Sequence, residues 1–381
     1  MHRRDILFSD HTLFRDQEVF DFHHVPEQFH HRGAQITELA DLARPGMEGA
    51  SPGNAILRGM PGTGKTTTVL KLFDQIEEST RRIVPVYVNC HTDRTQFAVY
   101  AKIFEKFAGH SLPASGTPLA ELMKKVAHLV QDKDCALLVC LDDANYLLYE
   151  QELNGLLYTL LRLHETYGRV RIGVFAIVSD MSLDLRRAVD NRVFSVFHPD
   201  EVTFPPYGKS EMREILGERI RQGLYPNTMK KNALDLVVDL ACEQGDVRVG
   251  IDLIRKAART VEREGRPAVT RNDIVAVSRH VVSPLLQTRA EHLTAAELEV
   301  LYHLARISTE GEVEMIAGMV FSALKEQMKI SYTTFHERLK KFEQDGFINL
   351  HLRTGRGRTR EIVLRYDPLQ VMEACGSRHS A

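Results

Sequence analysis

Residues 59–66 read Gly-Met-Pro-Gly-Thr-Gly-Lys-Thr, and the spacing GxxxxGKT leaves few folds open to the chain. Gly59, Gly62 and Gly64 let the backbone turn tightly, so that its N–H groups can converge on phosphate oxygens. In such a loop the lysine, Lys65, reaches the outer phosphates and the Thr66 hydroxyl holds magnesium. A helix starts here and points its positive end at the same phosphates. The flanks agree. The apolar run Ala55-Ile56-Leu57 precedes the loop like a strand, and Thr67 to Glu77 follows it like a helix. Pro61, Gly62, Thr63, Gly64, Lys65, Thr66 and Thr67 are therefore the expected nucleotide-holding run.

Strand-like and helix-like segments alternate after the loop. Ile83 to Val88 reads as a buried strand ending at Asn89. Ala98 to Phe107 and Leu119 to Val130 read as amphipathic helices, split by a Gly/Pro/Ser-rich stretch. Ala136 to Leu141 is a continuous apolar run, the pattern of a central strand in a parallel sheet. Leu153 to Tyr167 reads as a helix and Val170 to Val178 as another strand. This alternation predicts an α/β domain with a parallel sheet covered on both faces. A break at Phe204-Pro205-Pro206-Tyr207 leads into helical patterns at Ser210 to Gln222, Lys230 to Gln244, Val247 to Glu264 and Arg271 to Ser283, a second, all-helical domain. Ser210 and Thr270 are plausible caps for the first and last of these. A linker is expected near Val282 to Arg289.

The apolar strand 136–141 ends in Asp142-Asp143. One carboxylate there can bind the water shell of magnesium, and a second can orient or deprotonate an attacking water. Asp142 is assigned to the metal with Thr66, and Asp143 to the water; the alternative for Asp143 is a cap of the next helix. Ser179, at the tip of the following strand, is the candidate sensor of a γ-phosphate. Arg192 lies beyond it, either an arginine finger toward a neighbouring subunit's nucleotide or a solvated surface residue. Arg248, opening a helix of the second domain, can act as a lid arginine that couples domain angle to nucleotide state.

The last hundred or so residues read as a winged helix. Thr294 with Glu297 makes a capping box for a first helix, and a second is expected at about residues 312–329. In the third, Ser331 to Phe342, the residues Phe335, Leu339 and Phe342 share one face at helical spacing and belong in a core. Thr333, Thr334, Arg338 and Lys341 are then free to face outward, a composition suited to the major groove of DNA. Strand-like runs at 347–352 and 360–365 flank Arg353-Thr354-Gly355-Arg356-Gly357-Arg358-Thr359. Arg353, Arg356 and Arg358 in such a wing can enter a minor groove or contact phosphates.

The 381 residues carry a formal net charge of -2, which argues against a globally basic coat and leaves room for a local patch. No apolar run is long enough to span a membrane. Met1-His2-Arg3-Arg4-Asp5 is followed by no long apolar core, so no secretory leader is expected. The five cysteines have no CxxC spacing and fit a reduced cytoplasm as buried thiols. The histidine pairs at 23–24 and 30–31 lack matching ligands for a metal site.

Together the phosphate loop, the Asp-Asp strand, the polar strand tip, the arginine and the helical lid arginine resemble an AAA+ ATPase: a P-loop parallel-sheet domain, a helical lid and a C-terminal winged helix. The chain is similar over nearly its whole length to the archaeal origin-recognition and cell-division-control initiator family. Leu13-Phe14-Arg15-Asp16, and Val25-Pro26-Glu27 with His31-Arg32, resemble that family's box before the phosphate loop, which lies against adenine. Asp190-Asn191-Arg192-Val193, Phe204-Pro205-Pro206-Tyr207 and Gly245-Asp246-Val247-Arg248 resemble its later signatures. The resemblance implies that Val25, Pro26 and Arg32 serve the nucleotide, with Tyr207 and Arg219 contributing to its pocket. It implies ATP or ADP with Mg2+ as ligands. It also implies double-stranded origin DNA, the minichromosome-maintenance helicase and paralogous initiators as partners, in the nucleoid-bearing cytoplasm. An insertion that touches DNA is placed among the helices of 92–130, where Arg94, Lys102 and Lys106 are basic. Domain limits are expected at 1–206, 207–285 and 286–381. Two departures stand out: the family usually has Glu at the position of Asp143 and Asn at that of Ser179, so slow hydrolysis is expected. Two other functions stay open, a ring-forming remodelling ATPase and an ATP-gated winged-helix transcription regulator.

Overall fold

The computed structural model describes residues 12–22, 24–26, 31–111, 116–179, 183, 185–278, 284–311, 313–328, 330–352 and 360–376. The chain divides into two units. One is His23–Tyr207; in the other, the described residues up to Phe22 join those from Gly208 onward. Residues 12–22, grouped by sequence with the nucleotide-binding domain, thus pack in the helical unit instead.

The first unit is built on a five-stranded parallel sheet. Its strands are β1 (Ala55–Arg58), β2 (Ile83–Asn89), β3 (Ala136–Asp142), β4 (Arg171–Val178) and β5 (Asp200–Thr203), in spatial order β2-β3-β4-β1-β5. Its helices are α1 (Gly33–Ala43), α2 (Lys65–Ser79), α3 (Gln96–Ala108), α4 (Leu119–Asp132), α5 (Asn145–Tyr149), α6 (Leu153–Leu161), α7 (Leu163–Tyr167), α8 (Leu185–Ala188) and α9 (Asn191–Phe197). β3 is buried at every residue, as a strand covered on both faces must be. Its side chains alternate between two cores. Leu137, Val139 and Leu141 join the side chains of α3, α4 and α6. Ala136, Leu138 and Cys140 join those of α1 and α2. This parity matters below, because it sends the next even-numbered side chain, Asp142, to the α2 face.

Two local expectations change. The segment 153–167 is not one helix: Arg162, at φ -107° and ψ 10°, separates α6 from α7. β5, absent from the sequence reading, pairs in parallel with β1 from Ala55↔Asp200 to Arg58↔Thr203.

The second unit begins with α10 (Lys209–Gly223), α11 (Lys231–Gln244), α12 (Val247–Arg263) and α13 (Arg271–Ser278). α10 is capped at Gly208, whose N–H donates to the Glu211 carboxylate at 2.8 Å, rather than at Ser210. Before α13, Thr270 donates both its N–H and its hydroxyl to Asp273, each at 2.7 Å. The early segment is stitched to this bundle by its backbone. Arg15 and Asp16 donate to the Gly223 carbonyl at 2.9 and 3.2 Å, and Tyr225 donates to Leu13 at 3.0 Å. Phe20 is fully buried there.

The C-terminal elements are α14 (Pro284–Glu291), α15 (Ala295–Glu310), α16 (Ala317–Gln327), α17 (Tyr332–Gln344), β6 (Ile348–Leu352), β7 (Arg360–Leu364) and α18 (Pro368–Gly376). β6 and β7 form an antiparallel ribbon, and an isolated bridge ties Ile316 to Glu361. Phe335, Leu339 and Phe342 of α17 are fully buried in this core, as their spacing predicts. The expected capping box stands: Thr294 N–H donates to Glu297 at 2.8 Å, and Glu297 N–H to the Thr294 hydroxyl at 3.4 Å. The stretch read as a linker at 282–289 contains α14 instead. Leu286 and Ala290, four residues apart on one helical face, enter the same core, and Arg289 donates to Gly346 O at 3.0 Å. No helix among the described residues is long and apolar enough to cross a membrane.

Gly223 gives a direct test of the docking of segment 12–22. A Cβ there would fall 2.3 Å from Phe20 Cε2 and 3.0 Å from the Asp16 carbonyl. Gly223→Ala is expected to destabilise this unit by about 1–3 kcal/mol, the usual effect of overpacking. The loss is read as a lower urea midpoint in circular dichroism.

Candidate nucleotide-binding site

The loop between β1 and α2 has the backbone its glycines were chosen for. Gly62 and Gly64 adopt φ of 72° and 87°, in the left-handed region that only glycine enters freely. Gly59 serves a different need. A Cβ on it would lie 2.5 Å from the Phe204 carbonyl, so the residue must be bare where the chain leaving β5 crosses the loop. Thr63 is fully buried and donates its hydroxyl to Met60 O at 2.8 Å, while Pro61, Gly62, Thr66 and Thr67 stay partly accessible. Lys65 is buried, and its ammonium donates to the carbonyls of Gly59 (2.8 Å) and Met60 (2.9 Å) inside its own loop.

At the neighbouring strand end, the buried Asp142 carboxylate faces the first turn of α2. Its Oδ2 accepts from Thr66 Oγ1 at 2.8 Å and from Tyr87 Oη at 2.7 Å. Burial raises the Asp142 pKa, and the charge of Asp143 raises it further; the hydrogen bonds from Tyr87 and Thr66 and the charge of Lys65 work the other way. Burial also raises the Tyr87 pKa, so the phenol stays protonated and donates. A hydroxyl and a carboxylate are hard oxygen donors suited to magnesium. Among the described residues no group of three or more His, Cys, Asp or Glu could hold a metal alone. Thr66 Oγ1 and Asp142 Oδ2, 2.8 Å apart, are two such donors side by side and fit that ion.

Asp143 takes a left-handed turn, φ 53°, at the end of β3, and its Oδ1 accepts from Ser179 Oγ at 2.9 Å. The two residues assigned to hydrolysis thus bond to each other. Arg192 lies exposed in the first turn of α9.

Arg32, expected beside the nucleotide, is buried against the phosphate loop. Its Nε donates to Thr63 O at 2.9 Å and its Nη2 to Pro205 O at 2.6 Å, while its guanidinium sits 4.0 Å from the centre of the Tyr207 ring. The Tyr207 ring is held in turn over the loop: its hydroxyl is 2.3 Å from where a Cβ on Gly64 would be. Val25 and Pro26 are half-buried.

Arg219 and Arg248 belong to the helical unit. Arg219 is buried there and donates to Val19 O at 2.8 Å; burial lowers its pKa. Arg248 forms an ion pair with Asp246, the cap of its own helix, at 2.7 Å. In α17, Thr333 is exposed, whereas the Thr334 hydroxyl lies 2.8 Å from that of the capping Ser331. Arg338 donates to Ala296 O at 3.0 Å, and Lys341 donates to both oxygens of Glu297 at 2.8 and 2.9 Å. So the capping carboxylate of α15 holds the side of α17 that sequence alone left open. Arg353, Arg356 and Arg358 of the wing lie outside the described residues. The three basic residues singled out in 92–130 have acidic partners: Arg94 with Glu150 at 3.6 Å, Lys102 with Glu105 at 3.4 Å and Lys106 with Glu77 at 2.5 Å.

Residues 49–186 match the AAA domain family and 213–279 the Cdc6 AAA+ ATPase-type lid domain. The chain is 38% identical to "ORC1-type DNA replication protein 3" of Haloarcula marismortui over 97% of this chain and 97% of that one. This chain belongs to the ORC1-type DNA replication protein family. "ORC1-type DNA replication protein 2" of Methanothermobacter thermautotrophicus is 34% identical, over 95% of each chain. The fold is shared with the Aeropyrum pernix ORC1 protein solved in complex with DNA, at a TM-score of 0.73 and 23% identity, over 96% of this chain and 97% of that one. As a member of this family the chain is an ATP-binding AAA+ initiator, and its AAA domain is that of an ATPase. The Tyr87–Asp142 contact was not foreseen from the sequence, because Tyr87 stands inside an apolar strand run.

The contact of Tyr207 with Gly64 can be dissected. Gly64→Ala combines left-handed strain of about 1–2 kcal/mol with a clash against the tyrosine hydroxyl. It should lower the thermal midpoint. Tyr207→Phe in that background leaves ring carbon Cζ at an ordinary 3.5 Å and should restore part of the loss but not the backbone share. Such a double-mutant cycle separates the two terms.

Proposed function

We propose that this chain is a replication initiator that holds ATP or ADP with magnesium, recognises double-stranded origin DNA and helps to place the minichromosome-maintenance helicase. The observation that carries the reading is the full-length match to ORC1-type DNA replication proteins, with the phosphate loop, lid and winged-helix elements in one chain. We place the divisions at 1–206, 207–285 and 286–381, with segment 12–22 folded back on the lid. The protein would act in the cytoplasm on the nucleoid, alongside paralogous initiators that present or receive Arg192.

In this reading Pro61 to Thr67 surround the phosphates, with the backbone N–H groups of Gly62 to Thr67 and the α2 N-terminus turned toward them. Lys65 exchanges its loop carbonyls for phosphate oxygens. Magnesium neutralises charge between the outer phosphates when bound; Thr66 and Asp142 would hold it. Tyr207 and Arg32 set the shape of the loop, Val25 and Pro26 lie toward the base, and Arg219 and Arg248 respond from the lid. Asp143 orients the attacking water, with a side chain one methylene shorter than the usual glutamate and its Oδ1 already accepting from Ser179. That pairing supports slow turnover, and hence a switch rather than a motor. Thr333 of α17 and the wing arginines Arg353, Arg356 and Arg358 would meet DNA, with Thr334, Arg338 and Lys341 as the structured border of that surface.

Two measurements test this. Phosphate release by the purified protein is expected well below about one turnover per second, an ordinary enzymatic rate; faster, DNA-stimulated turnover would support a remodelling motor. A salt-sensitive DNA footprint is expected with ATP and to change with ADP and with Lys65→Ala. If no sequence-selective protection appears in any of the three, origin recognition by this chain alone is wrong.

A further inference from the structure

Tyr87 has no role in the reading above, yet its hydroxyl touches the carboxylate that the metal requires. The sheet explains how it gets there. β2 and β3 pair in parallel with Tyr87 opposite Cys140 and Asn89 opposite Asp142. Tyr87 and Asp142 are therefore diagonal neighbours on the same sheet face, and parity makes it the α2 face. A diagonal pair on adjacent strands is beyond short side chains but within reach of an aromatic one. The ring packs against the core shared by α1 and α2, which fixes its direction. Its hydroxyl then ends 2.7 Å from Asp142 Oδ2, the oxygen that also accepts from Thr66.

We propose that Tyr87 is a positioning residue for the magnesium site, resting on the magnesium reading of Thr66 and Asp142 given above. A carboxylate at the end of a strand can rotate about its last bond. Two donors from different elements, Thr66 on α2 and Tyr87 on β2, hold one oxygen and so restrict the plane of the carboxylate. Groups that orient a metal-binding carboxylate from behind typically change metal affinity by about 10- to 100-fold when removed. Phenylalanine would fill the same space and donate nothing.

The test is Tyr87→Phe in the full chain. Binding of a fluorescent ATP analogue is measured in EDTA and across a magnesium titration. In EDTA the variant should bind within about twofold of the wild type, which also certifies its fold. The magnesium concentration that half-maximally enhances binding should rise by roughly tenfold. A magnesium titration that overlays the wild type would overturn the proposal while leaving the metal site intact. If the wild type itself shows no enhancement by magnesium, and Thr66→Ala changes nothing, the magnesium reading fails and this inference with it. Weakened binding in EDTA to the same degree as in magnesium would also overturn it, because Tyr87 would then be supporting the loop as a whole.

Discussion

The nucleotide unit depends on one buried carboxylate. Asp142 ends the most enclosed strand of the sheet, where an unpaired charge would be strongly disfavoured. Thr66 and Tyr87 resolve that conflict by donating to the same oxygen, which joins the first turn of α2 to two strands of the sheet. The loop that precedes Thr66 is thereby fixed at one end by a side chain. At its other end it is fixed by the close passage of Gly59 beneath Phe204. Between these points Lys65 and Thr63 donate their side chains to loop carbonyls and brace the turn from within.

A second connection runs from the loop to the end of the unit. Arg32 grips Thr63 and Pro205 through their carbonyls and supports the ring of Tyr207. Tyr207 is the last residue of this unit, and the next residue, Gly208, caps α10. The loop and the last residues of this unit are thus joined through one arginine. The hydrolytic positions follow a different logic. Asp143 and Ser179, the pair proposed for hydrolysis, bond to each other across a left-handed turn and to neither Thr66 nor Lys65 in the hydrogen bonds described.

Legibility in the sequence followed range. The phosphate loop, the Asp-Asp strand end and the capping box of α15 are local patterns whose physics is complete within a few residues, and each was readable. β5 was not, because only Val202 in it is buried and a four-residue edge strand leaves no periodic signal. The contacts of Arg32 and Tyr87 were not readable because their partners lie far away in the chain, Pro205 for one and Asp142 for the other. The outward face of α17 was half readable. The apolar spacing was right, but nothing local announces that the capping carboxylate of Glu297 also accepts from Lys341. α14 shows the same limit, since Leu286 and Ala290 gain their meaning only from the core they enter.

If the Asp142 carboxylate is the hub of the site, its charge rather than its shape is what the bound nucleotide needs. Asp142→Asn keeps the volume and still offers an oxygen to Thr66 and Tyr87. Equilibrium binding of ATP to this variant, with magnesium and with EDTA, is the direct measurement. The account predicts near-wild-type binding in EDTA and loss of the gain that magnesium gives. An asparagine variant that keeps the full magnesium gain would contradict it.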